Sequence, residues 1–207
     1  MTDIEYFYST HSAYAYIGSK LLMEIVNRNE CRIIHKPIDL NPVVEASSGQ
    51  PFGHRSDAHR AYFFNREIER WAEHREASLI NHRPTWHDEP LTLPNGFVIA
   101  AVENGHNADQ LVHEILKAHW LDDANHNDPE TLSAIAHSVG IDPAPLLKIA
   151  MSDEIQAIHQ TNTEEAIRRS VFGSPTYFID GDMFYGQDHL ELVERALDKP
   201  YQGSWPK

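Results

Sequence analysis

Tyr6-Phe7-Tyr8-Ser9-Thr10-His11-Ser12 decides how this chain is read. The aromatic run from Asp3 to Tyr8 has strand character, and Tyr14, Ile17, Leu21 and Ile25 then recur at helical spacing from about Ala13 to Arg28. Ser12 stands at the join, where a hydroxyl caps a helix well. The far end supplies a matching piece, Phe172-Gly173-Ser174-Pro175-Thr176-Tyr177-Phe178-Ile179, in which a proline immediately precedes a second β-type run.

Working outward, Cys31 to Pro37 reads as a short strand followed by a loop, Asp39-Leu40-Asn41-Pro42. The first strand, helix and second strand form a β-α-β unit whose crossover should be right-handed. The middle is helical. Phe64, Ile68, Trp71 and Ala72 line a helix ending near Arg75, and Leu111, Ile115, Leu116 and Trp120 line another. Asp128-Pro129 opens a third that Gly140 ends, Asp142-Pro143 repeats the start signal, and Ser152 opens a long helix to about Ser170. Between them Arg83 to Pro94 reads as an extended, proline-rich loop suited to a lid or pocket wall. Asp180-Gly181 joins Thr176–Ile179 to Met183–Tyr185 as a hairpin, and a final helix from Asp188 turns Leu190, Val193 and Leu197 inward. The order is β-α-β, a long helical insertion over 41–170, then β-β-α; residues 1–40 and 171–207 would form the α/β domain.

Composition bounds the function. The 207 residues are 41% hydrophobic and 23% charged, ordinary for one globular domain with an insertion. A net charge of −14 argues against nucleic-acid and anionic-membrane partners, though a few placed arginines can still bind a small anion. Neither a signal-peptide run nor an apolar stretch of about 20 residues is present, so a cytoplasmic location is expected. The single cysteine, Cys31, excludes an intramolecular disulfide and a dithiol motif; on a β-type run it reads as a small buried hydrophobe. The 14 histidines read as scattered over the surface, since neither His54 with His59 nor His82 with His87 sits in a metal-binding framework; no metal is expected.

This arrangement resembles the 2-hydroxychromene-2-carboxylate isomerase family, related to the kappa-class glutathione transferases within the DsbA-like thioredoxin superfamily. The motifs carrying the resemblance are Ser12 with Tyr14 and Tyr16, Phe172 to Thr176, and Tyr185-Gly186-Gln187-Asp188. It implies a thioredoxin-like α/β fold interrupted by an all-helical insertion, a homodimer, and glutathione as cofactor. In that scaffold Ser12 takes the place of the reactive cysteine, so the sulfur must arrive with a bound molecule. A free thiol has a pKa of about 8.5, so the site must favour the anion. A hydroxyl beside the positive end of a helix would do so. Where the family usually has proline after the serine, Ala13 follows here.

The resemblance implies further roles. The Ser174–Pro175 bond would be cis, leaving the Ser174 backbone to pair with the cysteinyl unit of glutathione. Tyr185 would bind glutathione, and Gln187 and Asp188 would lie at its γ-glutamyl end. Asp188 with Glu191 equally has the form of a helix-capping box. Arg60, and Gln50 in place of a family asparagine, would also reach glutathione. Arg55 would hold a substrate carboxylate, and Trp86 would wall a planar aromatic ring. His11, like Ala13, departs from the family pattern; its imidazole beside Ser12 would tune the sulfur or touch the substrate, or stand in solvent. The implied activity is a glutathione-dependent isomerisation of a bicyclic aromatic carboxylate by reversible thiolate addition. A kappa-like transferase conjugating electrophiles, and a non-enzymatic glutathione- or peptide-binding protein, are the alternatives.

Overall fold

Strand β1 (Asp3–Tyr8) is buried on both faces because it lies inside a four-stranded sheet of order β2-β1-β3-β4. Ile4, Tyr6 and Tyr8 face one side and Phe7 the other, the period-2 alternation that a pleated strand imposes. β2 (Arg32–Pro37) pairs parallel to β1, while β3 (Thr176–Ile179) runs antiparallel to β1 and to β4 (Asp182–Tyr185). The hairpin between β3 and β4 turns at Asp180 and Gly181, both at positive φ (49° and 86°). The computed structural model describes residues 2–47, 49–203 and 205. Ser48 of the glycine-containing loop, and Met1, Ser204, Pro206 and Lys207 at the expected domain limits, lie outside them.

Helix α1 (Ala13–Asn29) starts one residue after Ser12, as its periodicity predicts, and packs on the Tyr6–Tyr8–Tyr177 face of the sheet with the terminal helix α10 (Leu190–Asp198). The opposite face, Phe7 and Phe178, is covered by Leu40, Val43 and Val44 of α2 (Leu40–Ala46) and by Ala166 of α9 (Asp153–Arg168). Arg169 seals that edge: its guanidinium lies 3.7 Å from the Phe178 ring centroid and bonds both oxygens of Glu5.

Among the described residues, six α-helices fill the insertion between α2 and α9: α3 (Asp57–Ala61), α4 (Glu67–His74), α5 (Thr92–Glu103), α6 (Asp109–Trp120), α7 (Pro129–Ser138) and α8 (Pro143–Ile149). Asp128, Asp142 and Ser152 cap as expected, each side chain accepting a backbone N–H in the first turn of its helix. Two expected loops are helical instead. Residues Leu40 to Pro42 are the first turn of α2, and the loop ending at Pro94 stops at Leu91, where α5 begins. In both, proline stands third in the helix, where its missing N–H would have had no partner. α5 is buried all round from Pro94 to Ala101, so it has no polar face to reveal its period. No helix among the described residues is long and apolar enough to cross a membrane.

Candidate functional site

The β1–α1 turn and the β3 entry meet in space. Ser12 caps α1, its Oγ accepting the Ala15 N–H at 3.3 Å and donating to the Ser174 carbonyl at 3.2 Å. Ser174 reciprocates, its Oγ accepting the Ser9 N–H at 3.0 Å. The Ser174–Pro175 peptide is cis. Capping and site-facing uses of Ser12 therefore coexist in one side chain. Both serines line a cleft of roughly 1710 Å³ between the sheet end and the inserted helices. The Ser174 N–H has no intramolecular partner among the described residues.

Several buried bonds hold this corner. Asn95, in the first turn of α5, is fully buried and accepts the Thr10 hydroxyl at 2.8 Å while its amide meets the Ile38 carbonyl at 3.1 Å and His159 Nε2 at 3.0 Å. It ties the β1–α1 turn to the end of β2. Trp120 Nε1 donates to the His11 carbonyl at 2.8 Å. Tyr14 donates to the Phe63 carbonyl at 2.6 Å, fixing a π-helical turn (Tyr62–Arg66) that forms part of the cleft wall. Such turns are often found at functional sites.

The sequence-expected residues fall into two groups. His11, Ser12, Arg55, Arg60, Ser174 and Tyr185 line the cleft. Arg55 donates to the Gln50 carbonyl at 3.1 Å, with its guanidinium 4.5 Å from the Phe52 ring centroid. Arg60 holds the same loop, donating to the Arg55 carbonyl at 2.7 Å and pairing with Asp57. Gln50 is exposed beside them. Burial raises the Tyr185 phenol pKa, an effect opposed by Arg55 and reinforced by Asp188. Asp188 tucks against Gly186 (φ 97°), where a Cβ would lie 2.2 Å from the Asp188 carboxylate.

Gln50, Trp86, Pro175, Gln187 and Asp188 are not among the residues that line the cleft. Gln187 is buried under α1's side of the sheet, its Oε1 accepting Arg75 Nε at 3.1 Å. Trp86 is 40% exposed. The expected capping box is not formed: a 3-10 turn covers Gln187–His189, α10 starts at Leu190 without a side-chain cap, and Glu191 is held by Arg75. Arg75 and Asn95 carried no sequence signal.

His11 is not a solvated loop residue, and the histidines are not all scattered. His11, His87, His119 and His126 cluster at the cleft wall. His87 Nδ1 and His119 Nε2 are 2.9 Å apart, as are His126 Nδ1 and His119 Nδ1, and the His11 and His87 rings lie 4.7 Å apart. Burial lowers every pKa in the cluster, to about 3 for His11, about 4 for His87, about 2 for His119 and about 4 for His126, with the neighbouring rings adding to the effect in each case except His87. All four are neutral at physiological pH. The Arg83 to Leu91 loop is a fixed wall: Thr85 donates through N–H and hydroxyl to Asp123 at 2.7 and 2.6 Å, and Arg83 pairs with Asp88. Cys31 is free and partly buried just before β2.

A four-stranded sheet with helices inserted after its second strand, a capping serine at the first turn and a cis-proline opposite define a thioredoxin-fold protein. A family model of the DSBA-like thioredoxin domain matches residues 3–198, and the chain belongs to that family. It is 25% identical to the 2-hydroxychromene-2-carboxylate isomerase of Sphingobium xenophagum, covering 94% of this chain and 97% of that one. A solved 2-hydroxychromene-2-carboxylate isomerase superposes with a TM-score of 0.78 at 20% identity, covering 95% of each chain. The cytosolic disulfide reductase DsbM from Pseudomonas aeruginosa, solved with GSH, superposes with a TM-score of 0.67 at 14% identity, covering 96% of this chain and 93% of that one.

Proposed function

We propose that this protein is a glutathione-dependent isomerase of a 2-hydroxychromene-2-carboxylate-type substrate, a bicyclic aromatic carboxylate. The observation that carries the reading is Ser12: a hydroxyl at the N-terminus of α1, on the wall of a large cleft and facing the Ser174 carbonyl. The relatives named as isomerases set the reaction class.

The residues fit a thiol peptide. Ser174 offers an N–H without an intramolecular partner among the described residues, and its carbonyl can accept from the peptide once the Ser12 hydroxyl turns away from it to the sulfur. Pocket volumes for drug-sized ligands run to about 1000 Å³, so the roughly 1710 Å³ cleft has room for a tripeptide and a bicyclic ring together. Ser12, Ser174 and Tyr185 would hold the tripeptide, with Asp188 near its ammonium end. When bound, glutathione supplies a sulfur nucleophile that adds to the substrate and later leaves it, so that a carbon–carbon bond can rotate in between. Ser12 turns its single O–H from the Ser174 carbonyl to the sulfur, while the α1 dipole favours the negative charge there. Arg55 turns its guanidinium toward the substrate carboxylate, for which its planar fork is matched. Phe52, Phe63 and Phe64 supply apolar surface for the rings.

The test is turnover of 2-hydroxychromene-2-carboxylate with and without glutathione. Turnover that requires glutathione and falls at least tenfold in Ser12→Ala, with glutathione recovered unchanged, is expected. Undiminished turnover without the thiol would overturn the reading, and a stable conjugate as product would replace it with transferase activity.

A further inference from the structure

We propose that His11 donates a hydrogen bond from its Nε2–H to the sulfur of the bound thiol, as a second donor beside Ser12. This rests on the glutathione reading above and assigns His11, the neighbour of Ser12, the atom and the proton with which it acts.

The argument is one of hydrogen placement. His11 Nδ1 is sealed from solvent and has no partner among the described residues. A buried lone pair without a partner costs less than a buried N–H without one. Nδ1 is therefore the bare nitrogen, and in a neutral imidazole the proton then sits on Nε2. His11 lines the cleft, so the edge left to face it is the donor edge. Its backbone is fixed by Trp120, and it directly precedes Ser12 in the turn.

The three histidines behind it obey the same logic. His126 Nε2 is sealed and unpartnered among the described residues, so His126 carries its proton on Nδ1 and donates to His119 Nδ1. His119 then donates from Nε2 to His87 Nδ1. That leaves His87 with its proton on Nε2. A chain with one polarity and no charge packs against the His11 ring. The charged groups nearest His11 are Arg83 and Asp88, which pair with each other at 2.7 Å. Only Asp88 favours an imidazolium here, and burial together with Arg83 and the neighbouring rings outweighs it, so His11 can stabilise a thiolate without handing it a proton, as neutral imidazole donors do for other developing anions.

The test reads the thiol itself. The pKa of bound glutathione is followed by thiolate absorbance in the wild-type protein, His11→Phe and His11→Gln, with glutathione affinity measured by calorimetry on each. His11→Phe should raise the bound thiol's pKa by about one unit, and His11→Gln, which keeps an N–H donor, should restore most of the depression. An unchanged pKa in a His11→Phe protein that still binds glutathione overturns the proposal and leaves the isomerase reading intact. Failure of the wild-type protein to bind glutathione overturns both. Two-bond ¹H–¹⁵N spectra of the wild-type protein give a second check independent of the variants: a His11 proton on Nε2 that shifts when glutathione is added supports the assignment, and a proton on Nδ1 refutes it.

Discussion

Lowering the pH from about 7.5 to about 5.5 should weaken this fold through four rings, well above the pH at which its carboxylates protonate. His11, His87, His119 and His126 hold folded pKa values of about 3, 4, 2 and 4, whereas an unfolded histidine titrates near 6.5. Below about pH 6.5 the unfolded chain takes up protons that the folded chain refuses, so stability is fully present above that pH and is lost as pH falls toward the folded values. At about pH 5.5 an unfolded histidine is about nine-tenths protonated, and each sealed ring costs about 1.4 kcal/mol. His119 and His126 are fully buried and contribute that amount in full; His11 and His87, each with an edge on the cleft, contribute less. The sum is about 3–5 kcal/mol, a large part of the about 5–15 kcal/mol that holds a typical domain together. Urea unfolding followed by circular dichroism across this range measures it directly. The slope of stability against pH should correspond to an uptake of at least about three protons on unfolding near pH 5.5, to which His113 and His159, whose pKa values burial also lowers, add. An uptake below one proton there would refute the buried neutral cluster.

Two further substitutions test the supports of the site. Asn95→Ala removes an amide that bonds Thr10, Ile38 and His159 in a fully buried position, and should cost about 2–4 kcal/mol in urea unfolding; a loss under about 0.5 kcal/mol would mean the network does not hold the turn. Gly96→Ala would drive a methyl to 2.2 Å from the Ala150 carbonyl oxygen, so it should lower Tm by several degrees through separation of α5 and α8, whereas an unchanged Tm would contradict that packing.

Much of the fold is written in local signals. β1 and α1 are legible because an aromatic run changes to helical period at Ser12, and α7, α8 and α9 because Asp128, Asp142 and Ser152 announce their starts. α2 and α5 are hidden for a physical reason: proline in a helix's first turn reads as a breaker, and α5, buried on every side from Pro94 to Ala101, has no polar face to set a period. The site divides similarly. Ser12, Ser174 and Pro175 stand in motifs. Arg75, which clamps Gln187 and Glu191, lies over a hundred positions from them, and its part emerges only when α4 meets α10. The histidine cluster joins the turn after β1, the loop before α5, α6 and the segment after it; spacing along the chain says nothing of it.

The measurement that bears most directly on this account is a crystal structure of the protein with glutathione. The account predicts the cysteinyl backbone paired with Ser174 and the sulfur within hydrogen-bonding reach, about 3.5 Å, of Ser12 Oγ. Glutathione bound elsewhere, or with its sulfur turned away from Ser12, would contradict it.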